Sequence, residues 1–187
     1  MKKIAILASH NGSGFDAIYT AIQAEKLQLE IVLVISNNTD AKILQKAQSA
    51  GLRNFLVNSK HFDNPDEKIY ELLLKHKAEY IFLSGYMKKI PSKIIQTFKV
   101  INSHPSLLPK YGGEGMYGRF VHEAVIANKE DKSGLTIHYV DEVYDSGEII
   151  LQKELVIKPQ ESVDSLERKI KAMESIAIVE ALTKCLK

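Results

Sequence analysis

Short apolar runs alternate with amphipathic stretches along the whole chain. Each apolar run is bounded by polar or glycine-containing turns, which is typical of strands that are covered on both faces of a sheet. These runs lie at residues 4–8, 29–35, 54–57, 80–83 and 99–103. Between them, apolar residues recur at helical spacing, as in Phe15, Ile18 and Ile22. The alternation predicts a three-layer α/β/α fold with a mostly parallel, twisted sheet of about seven strands and right-handed crossovers.

Capping residues mark the ends of several predicted helices. Asp40 ends a polar turn and is placed to cap the second helix, with Gly51 just beyond the end of that helix. Asn64 caps the third helix and is followed by a first-turn proline. Ser162 or Asp164 caps the final helix. The predicted core-facing stripe of that helix consists of Val163, Leu166, Ile170, Met173, Ala177 and Leu182.

A polar turn with two glycines, at residues 9–14, separates the first strand from the first helix. At such a junction the free N–H groups and the positive end of the helix dipole attract anions, and the Ser13 hydroxyl adds a donor. The turn lacks the Gly-Lys-Ser/Thr of a P-loop and the three-glycine spacing of a dinucleotide-binding turn. We therefore expect a small anionic group at residues 11–14, with a plain connector as the alternative.

The last of the five apolar runs leads into Asn102-Ser103-His104-Pro105-Ser106-Leu107-Leu108-Pro109. Residues two apart in an extended chain point to the same side, so Asn102 and His104 are expected to face one pocket. An amide and an imidazole can both donate to a carbonyl oxygen that gains negative charge, and a positioned histidine can transfer a proton. The alternative is a structural histidine beside a turn-forming asparagine.

Several polar loops follow predicted parallel strands. Ligands bind beyond the carboxyl ends of such strands, so the loops at residues 11–14, 87–90 and 102–109 are predicted to share one edge of the sheet. The glycine-rich run at residues 112–118 predicts a mobile loop over this site, or equally a flexible connector. An acidic loop at residues 141–147 separates the last two predicted strands.

The composition indicates one domain, residues 1–187, and narrows the function classes. The 25 basic and 23 acidic residues are interspersed and give a net charge of +2, so no broad field for nucleic acid is expected. Cys185 is the single cysteine and no Cys/His metal spacing occurs, which favours a reducing compartment and no metal. The apolar run at residues 4–8 is too short for a signal peptide, and no run approaches a membrane span. We expect a soluble cytoplasmic protein, monomer or homodimer, with small-molecule ligands and no nucleic-acid or membrane partner.

The motif at residues 102–109 resembles that of the folate-dependent formyltransferase family. About forty residues later the likeness continues with Asp145-Ser146-Gly147 and Ile149-Ile150-Leu151-Gln152, and it runs from the first strand to the last helix. The resemblance implies a Rossmann-like formyltransferase fold and an enzyme that uses 10-formyltetrahydrofolate as co-substrate. The Asn-Gly-Ser turn at residues 11–13 and the chain length favour a member that formylates the amine of 5′-phosphoribosylglycinamide in purine (IMP) biosynthesis.

The resemblance also implies the catalytic residues. Asn102, His104 and Asp145 match the family residues that surround the formyl group. His104, held as a cation by a nearby carboxylate, and the Asn102 amide would stabilise the oxyanion that forms when the amine attacks. His104 would then pass a proton toward the departing folate nitrogen through water.

The binding residues are implied in the same way. The phosphate-binding residues are Asn11, Gly12, Ser13 and Gly14. Glu174 matches the family glutamate that meets the ribose hydroxyls, and His138 matches a family histidine that lies near the site or only packs there. The folate-binding residues are Met87, Lys88, Lys89, Ile90, Asn102, Val140, Asp141, Glu142, Val143, Tyr144 and Asp145.

The sequence departs from the family pattern at several positions. Gly14 stands where asparagine is common, Lys89 replaces an aliphatic residue, and Pro65 lies where an arginine often meets the folate glutamate tail. The run at residues 112–118 is longer than usual, so no residue across it is assigned, and His122 stays unassigned.

Other functions remain open at this point. Methionyl-tRNA formyltransferase would need a further tRNA-binding domain, and formyltetrahydrofolate hydrolase would need a regulatory segment before the first strand. A sugar-nucleotide or other amine formyltransferase shares the motif. A nucleotide-binding module without catalysis is the alternative from another class.

Overall fold

The computed structural model describes residues 1–186, and within them the chain forms seven strands and six helices. In chain order these are β1 (Lys2–Leu7), α1 (Ser13–Gln23), β2 (Leu29–Ser36), α2 (Lys42–Ser49), β3 (Asn54–Leu56), α3 (Pro65–Lys75), β4 (Tyr80–Leu83), α4 (Ser92–Thr97), β5 (Lys99–His104), α5 (Arg119–Ala127), β6 (Lys132–Tyr139), β7 (Ile149–Val156) and α6 (Val163–Cys185). The sheet has the strand order β3-β2-β1-β4-β5-β6-β7. The predicted α/β class with a seven-stranded, mostly parallel sheet is confirmed.

The chain divides into two compact units, Met1–Ile101 and Asn102–Lys187. Strand β5 contains the point of division, because its first half belongs to the first unit and its second half to the second. A single catalytic domain over residues 1–187 stays a prediction.

The first unit is built around β1. This strand pairs in parallel with both β2 and β4, and β2 pairs in parallel with β3. Ile4 lies opposite Ile31 on one side and Tyr80 on the other. Ile4, Ile6 and Leu7 are fully buried, as expected for a strand that is covered on both faces.

Two of the predicted helix ends in the first unit are confirmed. The Asn64 side chain accepts a hydrogen bond from the Glu67 backbone N–H at 3.1 Å, so it caps α3 as expected. Gly51 follows α2 with φ of 68°, the left-handed conformation that glycine adopts at helix ends.

The predicted Asp40 cap is wrong. Helix α2 begins one residue later, with Ala41 as its N-cap and no side-chain cap. The reason is a main-chain acceptor from an earlier part of the chain, since the His10 carbonyl accepts the Ile43 N–H at 3.2 Å. A backbone group therefore satisfies one of the amides that a capping side chain would satisfy.

The second unit packs a β-hairpin against α6. Strands β6 and β7 are antiparallel, with Leu135 opposite Lys153. Gly134 is required there, because a Cβ at this position would lie 2.0 Å from the Lys153 carbonyl oxygen. Of the two predicted caps of α6, Ser162 is the one used, and its hydroxyl accepts the Ser165 N–H at 3.2 Å.

The buried face of α6 differs from its predicted stripe in part. Leu166, Ile170, Ala177 and Leu182 are buried as predicted. Val163 and Met173 are only half-buried, and Ile178 and Ala181 complete the buried face. Within residues 1–186, no helix has both the length and the apolar character needed to cross a membrane.

Candidate active site

Four polar side chains of the second unit converge near the end of β5. His104 Nδ1 lies 3.5 Å from Asp145 Oδ2, and His138 Nε2 lies 3.6 Å from Asp145 Oδ1. The amide nitrogen of Asn102 lies 3.3 Å from His138 Nε2. We call Asn102, His104, His138 and Asp145 the catalytic cluster. The three residues predicted to be catalytic thus lie together, with His138 between Asn102 and Asp145.

The His104 ring is held in one orientation by a main-chain oxygen. Its Nε2 lies 2.7 Å from the Tyr111 carbonyl oxygen, and the residue is only 3% exposed. Because a carbonyl oxygen can only accept, Nε2 must carry a proton and donate it to this bond. Nδ1 is therefore the ring nitrogen that faces Asp145 and is available for proton transfer.

The His138 ring is neutral and orients Asn102. Its Nδ1 donates to the Tyr139 carbonyl oxygen at 2.8 Å, which leaves Nε2 as an acceptor for the Asn102 amide. Burial lowers the pKa of His138, although the hydrogen bond to Tyr139 and the charge of Asp145 act in the opposite direction. Of the two roles left open for His138, the contact with Asn102 places it in the cluster.

Asp145 is held by the glycine-rich run. Its Oδ2 accepts the Gly113 N–H at 3.0 Å, and its side chain is only 10% exposed. A Cβ at Gly112 would lie 2.5 Å from Leu108 Cδ2 and 3.1 Å from Asp145 Cβ, so a side chain at this position would press on both residues. Asp145 itself has φ of 57°, an uncommon conformation for a residue with a side chain. Such conformations are found preferentially at functional sites.

Glu174 of α6 is not a solvated surface charge. One of its carboxylate oxygens accepts a hydrogen bond from the Ser103 hydroxyl at 2.6 Å. Burial raises the pKa of Glu174, while the bond from Ser103 acts against that rise. The residue between Asn102 and His104 thus contacts the carboxylate that the family resemblance assigns to ribose binding.

The predicted anion-binding turn in the first unit is shorter than expected. Helix α1 begins at Ser13, with Gly12 as its N-cap at φ of 68°, so Ser13 and Gly14 are helical rather than part of the turn. The N–H groups of Gly14 and Phe15 donate to the Ser84 hydroxyl at 2.9 and 3.3 Å. Two of the first-turn amides are therefore already used within the protein.

A lysine lies beside the same turn. Lys46 Nζ donates to the Asn11 carbonyl oxygen at 2.9 Å and pairs with the Asp16 carboxylate. Gly12 is required here twice, by its left-handed φ and by Ile43, whose Cδ1 would lie 2.6 Å from an added Cβ. The Asn11 and Ser13 side chains are exposed at this helix start.

The loop at residues 87–90 is ordered by a serine that the sequence did not indicate. The Met87 N–H donates to the Ser9 hydroxyl at 2.8 Å, and Ser9 is fully buried. Ile90 is buried, whereas Lys88 and Lys89 are exposed. The Met87 amide is therefore engaged within the first unit and is not free for a ligand in this conformation.

The acidic loop is organised by its own aspartate. The Asp141 carboxylate accepts the Val143 N–H and the Ser146 hydroxyl, both at 2.9 Å. Val143 and Tyr144 are exposed by 66% and 47%, so this loop presents large side chains to solvent.

His122 stays outside the catalytic cluster. It is buried on α5, and burial lowers its pKa. Its Nδ1 has no hydrogen-bond partner among residues 1–186. No chemical role is assigned to it.

The chain is similar over nearly its whole length to known formyltransferases. The family described as Formyl transferase matches residues 2–182. The phosphoribosylglycinamide formyltransferase of Bacillus subtilis (strain 168) is 35% identical over 179 residues, which cover 93% of this chain and 89% of that protein. Among solved structures, phosphoribosylglycinamide formyltransferase from Coxiella burnetii in complex with CHES has 33% identity and a TM-score of 0.88, covering 97% of this chain and 85% of its own. Glycinamide ribonucleotide transformylase 1 from Geobacillus kaustophilus has 28% identity and a TM-score of 0.90, and the match covers 100% of this chain and 98% of that chain. The resemblance seen in the sequence is confirmed, and the chain belongs to the formyl transferase family.

Proposed function

We propose that this protein transfers the formyl group of 10-formyltetrahydrofolate to the amine of 5′-phosphoribosylglycinamide. The products would be formyl-phosphoribosylglycinamide and tetrahydrofolate, in a step of purine biosynthesis. The observation that carries the proposal is the catalytic cluster, in which a buried imidazole meets a half-buried carboxylate and a half-buried amide. The relatives named above support the choice of amine substrate.

The amine nitrogen attacks the formyl carbon, and the formyl oxygen becomes an oxyanion. The Asn102 amide has two hydrogens, of which one is directed at His138 Nε2, so the second is available to the oxyanion. A preorganised donor of this kind contributes on the order of 3 kcal/mol to transition-state stabilisation. His138 has the supporting role of fixing the Asn102 side chain.

Collapse of the intermediate breaks the bond between the formyl carbon and the folate nitrogen. The attacking amine must lose a proton, and the departing nitrogen must gain one. His104 can relay this proton through Nδ1, because Nε2 is fixed by the Tyr111 carbonyl. Asp145, 3.5 Å from Nδ1, would stabilise the imidazolium form of His104 during the transfer.

The first unit would hold the phosphate of the amine substrate. The exposed Asn11 and Ser13 side chains and the start of α1 are suited to a dianion. Because the Gly14 amide is bound to Ser84, its contribution would be the close approach that a residue without a side chain allows. The Lys46 ammonium lies beside Asn11, where a phosphate would compete with its present partner, the Asp16 carboxylate. For the second unit, we propose that Glu174 accepts hydrogen bonds from the ribose hydroxyls.

From the family resemblance, we propose folate contacts for the loop at residues 87–90 in the first unit and for the loop at residues 140–145 in the second unit. The Met87 and Val143 amides are engaged within the protein, so contacts to the pteridine would use other main-chain groups of these loops. The exposed side chains of Val143 and Tyr144 offer apolar surface to the aromatic part of the folate. We also infer action in the cytoplasm on small molecules alone, as a monomer or homodimer and without a metal.

One assay tests the proposal. Purified protein is mixed with 10-formyltetrahydrofolate and 5′-phosphoribosylglycinamide, and the release of tetrahydrofolate is followed by absorbance. We expect release that requires the amine, and His104→Ala should abolish turnover while it still binds both ligands. Release without the amine would indicate a hydrolase, and release only with an amino-sugar nucleotide would indicate a sugar-nucleotide formyltransferase. Ligand binding without any transfer would indicate a binding module.

A further inference from the structure

The Tyr111 carbonyl that orients His104 belongs to a residue with an uncommon backbone conformation. Tyr111 has φ of 57°, in the left-handed region that residues with side chains seldom occupy. This conformation directs its carbonyl oxygen to His104 Nε2 at 2.7 Å. Such a conformation persists only where surrounding contacts impose it. The contacts of the Tyr111 side chain therefore bear on the catalytic histidine.

The Tyr111 side chain is held by a carboxylate from another part of the second unit. Its hydroxyl donates to Glu130 Oε1 at 2.9 Å. Glu130 lies between α5 and β6, and Lys110 Nζ lies 3.0 Å from both of its carboxylate oxygens. The Lys110 ammonium, and then the Tyr111 hydroxyl, lower the pKa of Glu130, so it is an ionised acceptor at neutral pH.

Packing alone does not fix the tyrosine. A half-open pocket of about 330 Å³ is lined by Tyr111 and Glu130 together with Ser106, Val125 and Ser133. Because Tyr111 borders this pocket, fewer neighbouring atoms enclose its side chain, and its hydrogen bonds contribute more to holding it in place. On this side the ring is restrained by the bond from its hydroxyl to Glu130, together with a second side-chain hydrogen bond between Tyr111 and Asn128.

We propose that Glu130 is a positioning residue for formyl transfer. Through the Tyr111 hydroxyl it fixes the carbonyl that keeps a proton on His104 Nε2, and so keeps Nδ1 directed at Asp145. Without this restraint the carbonyl moves, and neutral His104 can place its proton on Nδ1 instead. That tautomer has no lone pair on Nδ1 and cannot accept a proton there. The inference rests on the proposed function for its effect on turnover.

Three variants separate the effect of the hydrogen bond between Tyr111 and Glu130 from the effect of the Glu130 charge. Tyr111→Phe removes the donor, and Glu130→Leu removes the acceptor. Glu130→Gln keeps an oxygen acceptor for the Tyr111 hydroxyl but removes the charge, so this variant should retain most of the wild-type activity. Lys132→Met is the matched control, because it changes the lining of the same pocket and removes an ion pair with Glu154, but keeps the bond between Tyr111 and Glu130.

We expect Tyr111→Phe and Glu130→Leu each to lower kcat about tenfold, the size expected for a hydrogen bond to a charged group. KM for both substrates should stay within about twofold, because a positioning residue does not contact them. The double variant should be no worse than either single one, since both remove the same bond. Thermal unfolding of each variant shows whether it is folded, and Tyr111→Phe, which removes one oxygen atom, serves if Glu130→Leu does not fold.

The deciding measurement is the His104 tautomer, read from ¹H–¹⁵N correlation spectra of histidine-labelled protein. The chain has 6 histidines, and the His104 signals are assigned by their absence in His104→Ala. In spectra taken at a pH where the ring is neutral, we expect His104 to be protonated on Nε2 in the wild type, Glu130→Gln and Lys132→Met, and to be a mixture of tautomers in Tyr111→Phe and Glu130→Leu. An unchanged tautomer in both of the latter would overturn the inference, as would an equal change in Glu130→Gln. If the wild type transfers no formyl group, the proposed function fails, and the spectra still decide the role of Glu130.

Discussion

Replacement of Asp145 by asparagine removes one charge from the catalytic cluster and leaves its shape in place. Asp145 has φ of 57°, and asparagine is among the few residues that adopt this conformation readily. The asparagine Oδ1 can still accept the Gly113 N–H, which now donates to Asp145 Oδ2 at 3.0 Å. The substitution therefore tests the charge of the carboxylate rather than the fold of the loop.

The size of the effect follows from the distance between Asp145 and His104. Oδ2 lies 3.5 Å from Nδ1, and two unit charges at that separation attract by about 5 kcal/mol at an effective dielectric constant of about 20. The amide dipole retains part of this attraction, and the lower desolvation cost of an amide offsets another part. We expect a net loss of about 3 kcal/mol in transition-state stabilisation, which lowers kcat by more than about a hundredfold.

The assay compares kcat, KM and direct binding. Tetrahydrofolate release gives kcat and KM for both substrates, and calorimetric titration gives the Kd of each ligand. We expect each Kd to stay within about threefold of the wild type, because the charge acts on the transition state. Asp131→Asn, at an exposed aspartate outside the cluster, is the control and should leave kcat unchanged. A kcat within about tenfold of the wild type, or Kd values that rise as far as kcat falls, would refute the reasoning.

Three further substitutions test the fold and its dependence on pH. A Cβ at Gly147 would lie 1.8 Å from the Tyr139 carbonyl oxygen, so Gly147→Ala should lower the unfolding free energy by about 3 kcal/mol in urea titrations. A urea midpoint of the variant equal to that of the wild type would contradict this. Asn64→Ala removes the acceptor of the Glu67 N–H and should lower the unfolding free energy by about 1 kcal/mol, measured by urea unfolding, while turnover in the formyl-transfer assay stays intact. An unchanged urea midpoint would argue against the cap. Burial lowers the pKa of His138, so protonation favours the unfolded chain, and stability falls as pH drops through the ordinary histidine value of about 6.5. His138→Gln should therefore lose less stability than the wild type between about pH 7 and pH 5, and equal slopes in urea titrations would exclude this contribution.

Elements that depend on local pattern were predictable from the sequence. The apolar run predicted as the fourth strand, residues 80–83, has the same bounds as β4. The cap at Asn64 was also correct, because a capping side chain bonds an amide only three residues away. A cap of this kind depends on residues close in the sequence, whereas the start of α2 depends on the distant His10 carbonyl and was predicted wrongly.

Contacts between main-chain groups and distant residues were not predictable. The start of α1 was misplaced because the hydroxyl that bonds its first amides comes from Ser84, far along the chain. The same holds for the Tyr111 carbonyl at His104 and the Gly113 amide at Asp145. Every residue except proline has both a main-chain N–H and a carbonyl group, so the residue type does not indicate which of these groups makes a long-range contact.

The catalytic cluster was predictable only in part. Asn102, His104 and Asp145 follow from a motif and a family resemblance, and the structure brings them together. The sequence does not decide between two roles for His138, because a histidine on a strand has the same sequence pattern whether it packs in the core or orients another side chain. Its tautomer depends on the Tyr139 carbonyl, which only the fold reveals.

The bond between Ser103 and Glu174 has a consequence for how a sugar would enter. Before any ligand arrives, the half-buried Glu174 carboxylate already has a hydroxyl partner at 2.6 Å, so it is not left unsatisfied. An incoming ribose would exchange one hydroxyl for another at this oxygen, and the exchange by itself would add little affinity. The exchange would instead discriminate between substrates, because a substrate without that hydroxyl could not replace the hydrogen bond from Ser103.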